Sequence, residues 1–298
     1  MSALAGVSVG QQRQTPAWQR QWQHFRYVTT ANPVTLLAFI GLGVMIAVAI
    51  LGPYLIPYDP LASLAEKALK PPSLEHWFGT DQLGRDVFSR VVVATRLDLL
   101  ISVSAVALSF VVGAAIGAAA GYWGGWFDQL SGRLLDTIMA FPLFVLAMGI
   151  VAAAGNTIQN IVIATAIINL PFYARVARAE VAIRRNAAYV QAARLSGSSD
   201  LRLLICTIFP NTLPPMMVQL SLNMGWAILN AAGLSFIGLG VRAPTAEWGI
   251  MVAEGANFII SGEWWLALFP GAALMLAVFT FNLLGDGLRD LVDPARRT

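Results

Sequence analysis

Tyr189-Val190-Gln191-Ala192-Ala193-Arg194-Leu195-Ser196-Gly197, running on to Phe209-Pro210-Asn211, is a polar, arginine-bearing stretch set between two strongly apolar runs. The helix formers Gln191 to Leu195 meet Gly197, a residue that ends helices, and a second amphipathic turn (Leu201, Leu203, Leu204, Ile208) leads to Pro210. The pattern predicts a short helix, a bend, and a second helix that stops at the proline.

The runs on either side set the fold class. Apolar residues make up 57% of the 298-residue chain and charged residues only 12%, about half the usual charged share of a soluble domain. The apolar residues fall into six blocks, roughly Pro33 to Leu51, Leu97 to Tyr122, Asp136 to Ala154, Ile158 to Arg175, Thr212 to Phe236 and Trp265 to Leu284. Each approaches the roughly 20 residues that a helix needs to cross a hydrocarbon core. None alternates as a barrel strand would, so the blocks predict an all-α membrane protein with six transmembrane helices. The first block is too long for a signal-peptide core and has no small-residue cleavage site behind it, so it is expected to remain as a span.

Arginines orient the bundle, because segments facing the cytoplasm accumulate Lys and Arg. Arg13, Arg20 and Arg26 precede the first block, Arg133 follows the second, six arginines from Arg175 to Arg202 fill the central segment, and Arg289, Arg296 and Arg297 close the chain. With six crossings all of these share one side, so both termini are expected to be cytoplasmic. Residues 1–32 read as a cytoplasmic tail, in which Trp18, Trp22 and Phe25 at helical spacing predict an amphipathic helix in the headgroup layer. Residues 33–290 read as one transmembrane domain with a cytoplasmic loop over about 176–211, and residues 291–298 as a cytoplasmic C-terminal tail.

Several functions fail on inventory. The only lysines, Lys67 and Lys70, lie in a proline-flanked outer loop, so there is no phosphate-binding G-x-x-x-x-G-K-[ST] loop. A single cysteine, Cys206, and two distant histidines, His24 and His76, provide no metal site and no Ser-His dyad inside a span. The dispersed arginines suggest no nucleic-acid surface. The middles of the blocks hold no ionisable residue, whereas an ion-coupled carrier usually places one near the midplane and a channel needs a selectivity ring.

Amides and small residues mark the spans instead. Gln219, Asn223, Trp226 and Asn230 follow at spacings of four, three and four, and so share one helical face. Two readings are open: the face lines a path for solute, or its amides bond to neighbouring helices as packing glue. Asn169 and Asn282 belong to the same question. Gly113, Gly117 and Gly121 at intervals of four predict a close helix–helix seam. In the outer segment, Gly79 to Arg90 predicts a short amphipathic element before the second span, with Asp81, Arg85, Asp86 and Arg90 forming a local ion-pair network.

The run Gln191-Ala192-Ala193, three residues, Gly197 resembles the E-A-A-x-x-x-G loop of the membrane subunits of ATP-binding-cassette importers, with Gln191 standing where that family has Glu. Four further strings are similar to the second permease of its dipeptide, oligopeptide and nickel branch: Gly79-Thr80-Asp81 with Gly84-Arg85-Asp86; Ala120-Gly121-Tyr122 with Gly124-Gly125; Leu234 to Gly240 with Trp248-Gly249; and Gly285 to Asp290 with Asp293-Pro294. The resemblance implies the type I importer permease fold in a bacterial inner membrane. It also implies a second permease subunit, two ATPase subunits that bind ATP and Mg, and an extracytoplasmic solute-binding protein. This chain is expected to carry no cofactor and no catalytic residue. Gln191, Ala192, Ala193, Arg194 and Gly197 are then expected to couple to the ATPases, and Asp81, Arg85, Asp86, Arg242 and Trp248 to help dock the binding protein. Peptides are the implied solute, with nickel chelates, opines, glutathione or sugars as alternatives.

Overall fold

The computed structural model describes residues 32–292, so the tail with Trp18, Trp22 and Phe25 and the last six residues lie outside it. Nine helices are found among the described residues: α1 (Pro33–Leu55), α2 (Val87–Trp123), α3 (Gly125–Ala140), α4 (Leu143–Ala154), α5 (Ile158–Arg184), α6 (Ala188–Leu195), α7 (Asp200–Phe236), α8 (Trp248–Ala256) and α9 (Trp265–Val292). Among those residues there is no β-strand, only an isolated bridge between Thr80 and Asp86. Local chemistry sets several starts. Asn32, Asp86, Thr157 and Glu247 accept backbone N–H groups of the first turns of α1, α2, α5 and α8, and Pro33 takes the first position of α1, where no N–H is needed.

The seam predicted on α2 is real, and its partner is α5. A methyl group added at Gly113, Gly117 or Gly121 would stand 2.7, 2.0 or 2.4 Å from the carbonyl oxygens of Leu170, Ala174 and Arg178. Both helices step by four residues, so their backbones touch along two full turns and no larger residue fits. Beyond this pair, α9 packs against α7, α8 and α1. The main core joins Val87, Val91, Met224, Ile228, Trp248, Trp265 and Phe281, drawn from α2, α7, α8 and α9.

The spans differ from the sequence reading in three places. The block read as Asp136 to Ala154 is not one straight helix: α3 and α4 meet at 91°. Phe141 is extended because Pro142 disfavours helical backbone in the residue before it. With 12 residues, α4 reaches only about 18 Å, so five continuous spans are joined by one bent pair. The second span starts at Val87 rather than near Leu97, which draws Arg90 and Arg96 into α2. Finally, Pro210 does not stop a helix. A π-type stretch, Leu203–Ile208, widens the turn just before it, where Phe209 donates to the Leu204 carbonyl, and α7 continues through Pro210, Pro214 and Pro215. Because α5 runs on to Arg184 and α7 begins at Asp200, the connecting segment is shorter than the 176–211 of the sequence reading.

Candidate functional site

The segment between α5 and α7 is built as a rigid projection. Gly197 ends α6 with φ +83°. Ser198 N–H reaches the Ala193 carbonyl at 3.2 Å and Gly197 N–H the Arg194 carbonyl at 3.0 Å, the paired bonds of a Schellman cap, which needs left-handed backbone that Gly adopts without strain. Val190 is fully buried in a small core with Ala118, Tyr122, Val181, Leu203, Leu204 and Ile208, and Ala193 packs against it. Arg194 donates to the Tyr122 hydroxyl at 3.2 Å, and that hydroxyl donates to Asp200. Arg185 donates to the Gly121 and Tyr122 carbonyls at 3.1 and 3.3 Å, placing positive charge on the free carbonyls that end α2. Tyr122 thus joins α2, α6 and α7 at one point, and Arg194, expected to be a contact for a partner, is engaged within the chain.

Ala188, Ala192 and Leu195 share the opposite, outward face of α6, where Leu195 is 90% exposed. Gln191 is half-buried and Ala192 exposed. Ile183, Tyr189 and Leu201 are also exposed along this segment, so Leu195 is one of several bare apolar side chains there.

The four residues predicted to share a face of α7 meet in one cavity of about 400 Å³, together with Asn169, Asn282, Phe144 and Phe172. Gln219 donates to Asn223 at 3.1 Å, Asn230 to the Trp226 carbonyl at 2.9 Å, and Asn169 to the Thr165 carbonyl at 2.8 Å, each bond staying within one helix. Asn223 is the buried member of the face, and its Nδ2 has no hydrogen-bond partner. None of these amides makes a hydrogen bond to another helix, and all of them line the cavity. Trp226 is 64% exposed.

At the other end of the bundle, the docking candidates are largely interior. Asp81 accepts from the Leu83 and Arg85 backbone N–H groups at 2.9 Å each and from Arg85 Nε at 2.6 Å. Arg85 and Arg90, each 1% exposed, both also approach Glu254. Asp86 accepts from Ser89 N–H and Oγ and lies 2.9 Å from His76 Nδ1. Trp248 is buried, with its indole N–H on the Val91 carbonyl at 3.0 Å. Of the five candidates only Arg242 is exposed. The network expected from the Asp and Arg pattern is present, but its residues cap and lock the bundle and offer no free charge. Beside it, Glu247 accepts from Gly249 and Ile250 N–H and Asp98 from Trp248 N–H. Burial holds the Glu247 carboxyl above its ordinary range.

Residues 113–298 match the family described as binding-protein-dependent transport system inner membrane component, more than half of the chain. The chain belongs to that family. Residues 17–72 of the permease match a second one, the N-terminal transmembrane domain of oligopeptide transport permease C. It is 42% identical over 268 residues to the probable D,D-dipeptide transport system permease protein of Escherichia coli (strain K12), covering 90% of each chain. It is 42% identical to the dipeptide transport system permease protein of Alkalihalophilus pseudofirmus, over 90% of this chain and 88% of that one. A glutathione transport system permease protein of Escherichia coli O1:K1 / APEC is 40% identical, over 99% of this chain and 95% of its own. The permease is therefore a multi-pass membrane transport component.

Three features of the permease had no role in the sequence reading. Tyr122 sat inside one of the quoted strings, but nothing there gave it partners on α6 and α7. Leu195 was taken as an ordinary helix former. Asp98 could have been found as the one acidic residue between Leu97 and Tyr122, a charge that needs a buried partner.

Proposed function

We propose that this permease is one of two membrane subunits of an ATP-driven importer for peptides, served by an extracytoplasmic binding protein and two cytoplasmic ATPases that hold ATP and Mg. The observation that carries this reading is the outward face of α6, with Leu195 bare and Val190 buried behind it. An amphipathic helix of this kind is half of a helix-in-groove contact, and the ATPases would supply the groove. Because α6 is fixed to α2 and α7 through Tyr122, and α2 to α5 through the glycine seam, ATPase closure would move these spans as one body. ATP can drive that movement only through a difference in affinity for the two states. Family membership and the relatives' names support the reading; dipeptides are the first solutes to test, with glutathione next. On the same reading the chain hydrolyses no ATP itself and binds no cofactor.

Arg184, Arg185, Arg194 and Arg202 cluster around α6, which supports a cytoplasmic position for that end and, with six crossings, for both termini. The chain has one cysteine, Cys206, so a Cys206→Ser, Ser196→Cys variant tests this with a membrane-impermeant maleimide. Labelling is expected in inverted vesicles and not in intact cells; the reverse pattern overturns the orientation. Function is tested by purifying the chain from gently solubilised membranes. Co-purifying ATPases and a second permease, with ATP-dependent peptide uptake on reconstitution, are the expected result, and transport by the chain alone without ATP rejects the reading.

A further inference from the structure

Gln219 and Asn230 stand eleven residues apart on one face of α7, about 16 Å along the helix, or roughly five residues of extended chain. Each uses one end of its amide inside its own helix and leaves the other end to the cavity. Asn282 on α9 makes no hydrogen bond with another described residue and lines the same cavity. No charged side chain lines it; aromatic Phe144, Phe172 and Trp226 and aliphatic Leu143, Ile168 and Leu222 supply its apolar wall. Its volume of about 400 Å³ lies in the range of about 300–1,000 Å³ typical of small-ligand sites.

We propose that this cavity is a binding site for the peptide backbone in transit, in which Gln219, Asn230 and Asn282 bond to successive peptide groups while the aromatic rings shield them from water. The proposal rests on the peptide reading above and adds to it how the solute is held. A side-chain amide carries one donor end and one acceptor end, so a rotation lets it serve either a peptide N–H or a peptide C=O. It therefore reads the part common to all peptides and ignores their side chains. A charged lining would instead favour one class of side chain and reject another.

The test uses the complete importer in proteoliposomes with saturating, peptide-loaded binding protein and three tripeptides of net negative, zero and positive charge. The double variant Gln219→Leu, Asn230→Leu should lower the number of peptides taken up per ATP about tenfold or more for all three, from the loss of two hydrogen bonds of ordinary net strength. Its ATPase rate and subunit content should stay as in the unaltered complex, and Gln219→Asn, Asn230→Gln should recover most of the uptake. Unchanged uptake per ATP, a loss confined to one charge class, or a parallel loss of ATPase activity overturns the proposal. If the unaltered importer takes up no peptide, the peptide reading itself fails, and the backbone site falls with it.

Discussion

The two ends of this bundle treat charged side chains in opposite ways. At the outer end, Asp81, Arg85, Asp86 and Arg90 are buried and Trp248 is enclosed, so the residues most suggestive of a docking surface are consumed by the fold. At the inner end, Arg175 and Arg178 hold their ion pairs with Asp136 and Asp128 at the surface, and Leu195 is bare. The charges at the outer end are met within the chain, although Leu74 and Ile260 there are 98% and 100% exposed. The inner projection is firmly mounted but carries unfinished apolar surface. Variants at the outer end should therefore act on stability, and variants on the outward face of α6 on assembly with other chains.

Asp81→Ala should have the largest effect on stability. It removes the carboxylate that faces Arg85 and Arg90 and the one oxygen that accepts from two backbone N–H groups, leaving buried guanidinium charge short of a counter-ion. Breaking a buried pair from one side costs about 3–5 kcal/mol. Detergent-solubilised protein should melt far below the unaltered chain, or not be recovered; a variant that melts normally would show that the network is dispensable.

Gly117→Leu probes the seam that ties the α6 mount to the rest of the bundle. Overpacking costs about 1–3 kcal/mol where neighbours can yield, and here the obstacle is the Ala174 carbonyl, a backbone atom. The loss should be at or above the top of that range, read as a lower melting temperature and aggregation in size-exclusion chromatography. Gly132→Ala on α3, where nothing stands within 4 Å, is the matched control and should melt as the unaltered chain does.

A smaller, pH-dependent effect is expected at Glu247. Its folded carboxyl holds a proton more tightly than an unfolded one near 4.5, so between that value and its raised folded value the folded chain is the more protonated state. Its contribution is greatest below the unfolded value and is lost as pH rises through the folded one. Glu247→Gln keeps an acceptor for the first turn of α8 but cannot titrate. The melting temperature of the unaltered chain should decline relative to that of Glu247→Gln as pH rises through the window. Parallel curves would place the titration elsewhere. Glu247→Ala loses the cap and should cost about 1 kcal/mol at any pH.

The same contrast explains what the sequence could and could not reveal. Hydropathy was enough for the number of apolar blocks, and Gly113, Gly117 and Gly121 for the seam, because both are local patterns. The first ten residues of α2 escaped because Arg90 and Arg96 break the apolar run ahead of Asp98. The partners that permit Arg90 and Asp98 there, Pro60, Pro244 and Trp248, are distant in sequence. Pro210 misled in the other direction: its effect on helix geometry is absorbed by a π turn that no short pattern announces. The amide face of α7 is visible from spacing, but the cavity that it shares with Phe144, Phe172 and Asn282 depends on helices distant in sequence. Burial of the outer charges was the least legible feature, since Asp and Arg in a loop are ordinarily solvated.

Leu195→Asp should have the smallest effect on the chain itself and one of the largest on what the chain does. Its side chain is 90% exposed, and substitutions at such sites usually change stability by no more than about 0.5 kcal/mol. If α6 seats in an ATPase groove, the same change withdraws a leucine whose full burial is worth about 1.5–3 kcal/mol and adds a charge that must be desolvated. Co-purification of the ATPases should fall by tenfold or more while the melting temperature of the isolated permease stays put. Ile183→Asp, equally apolar and 73% exposed but on α5 before the turn, separates a general need for surface apolarity from a need for this face. Equal loss of ATPases in both variants would mean that the contact is broader than α6, and no loss in Leu195→Asp would move it off this helix altogether.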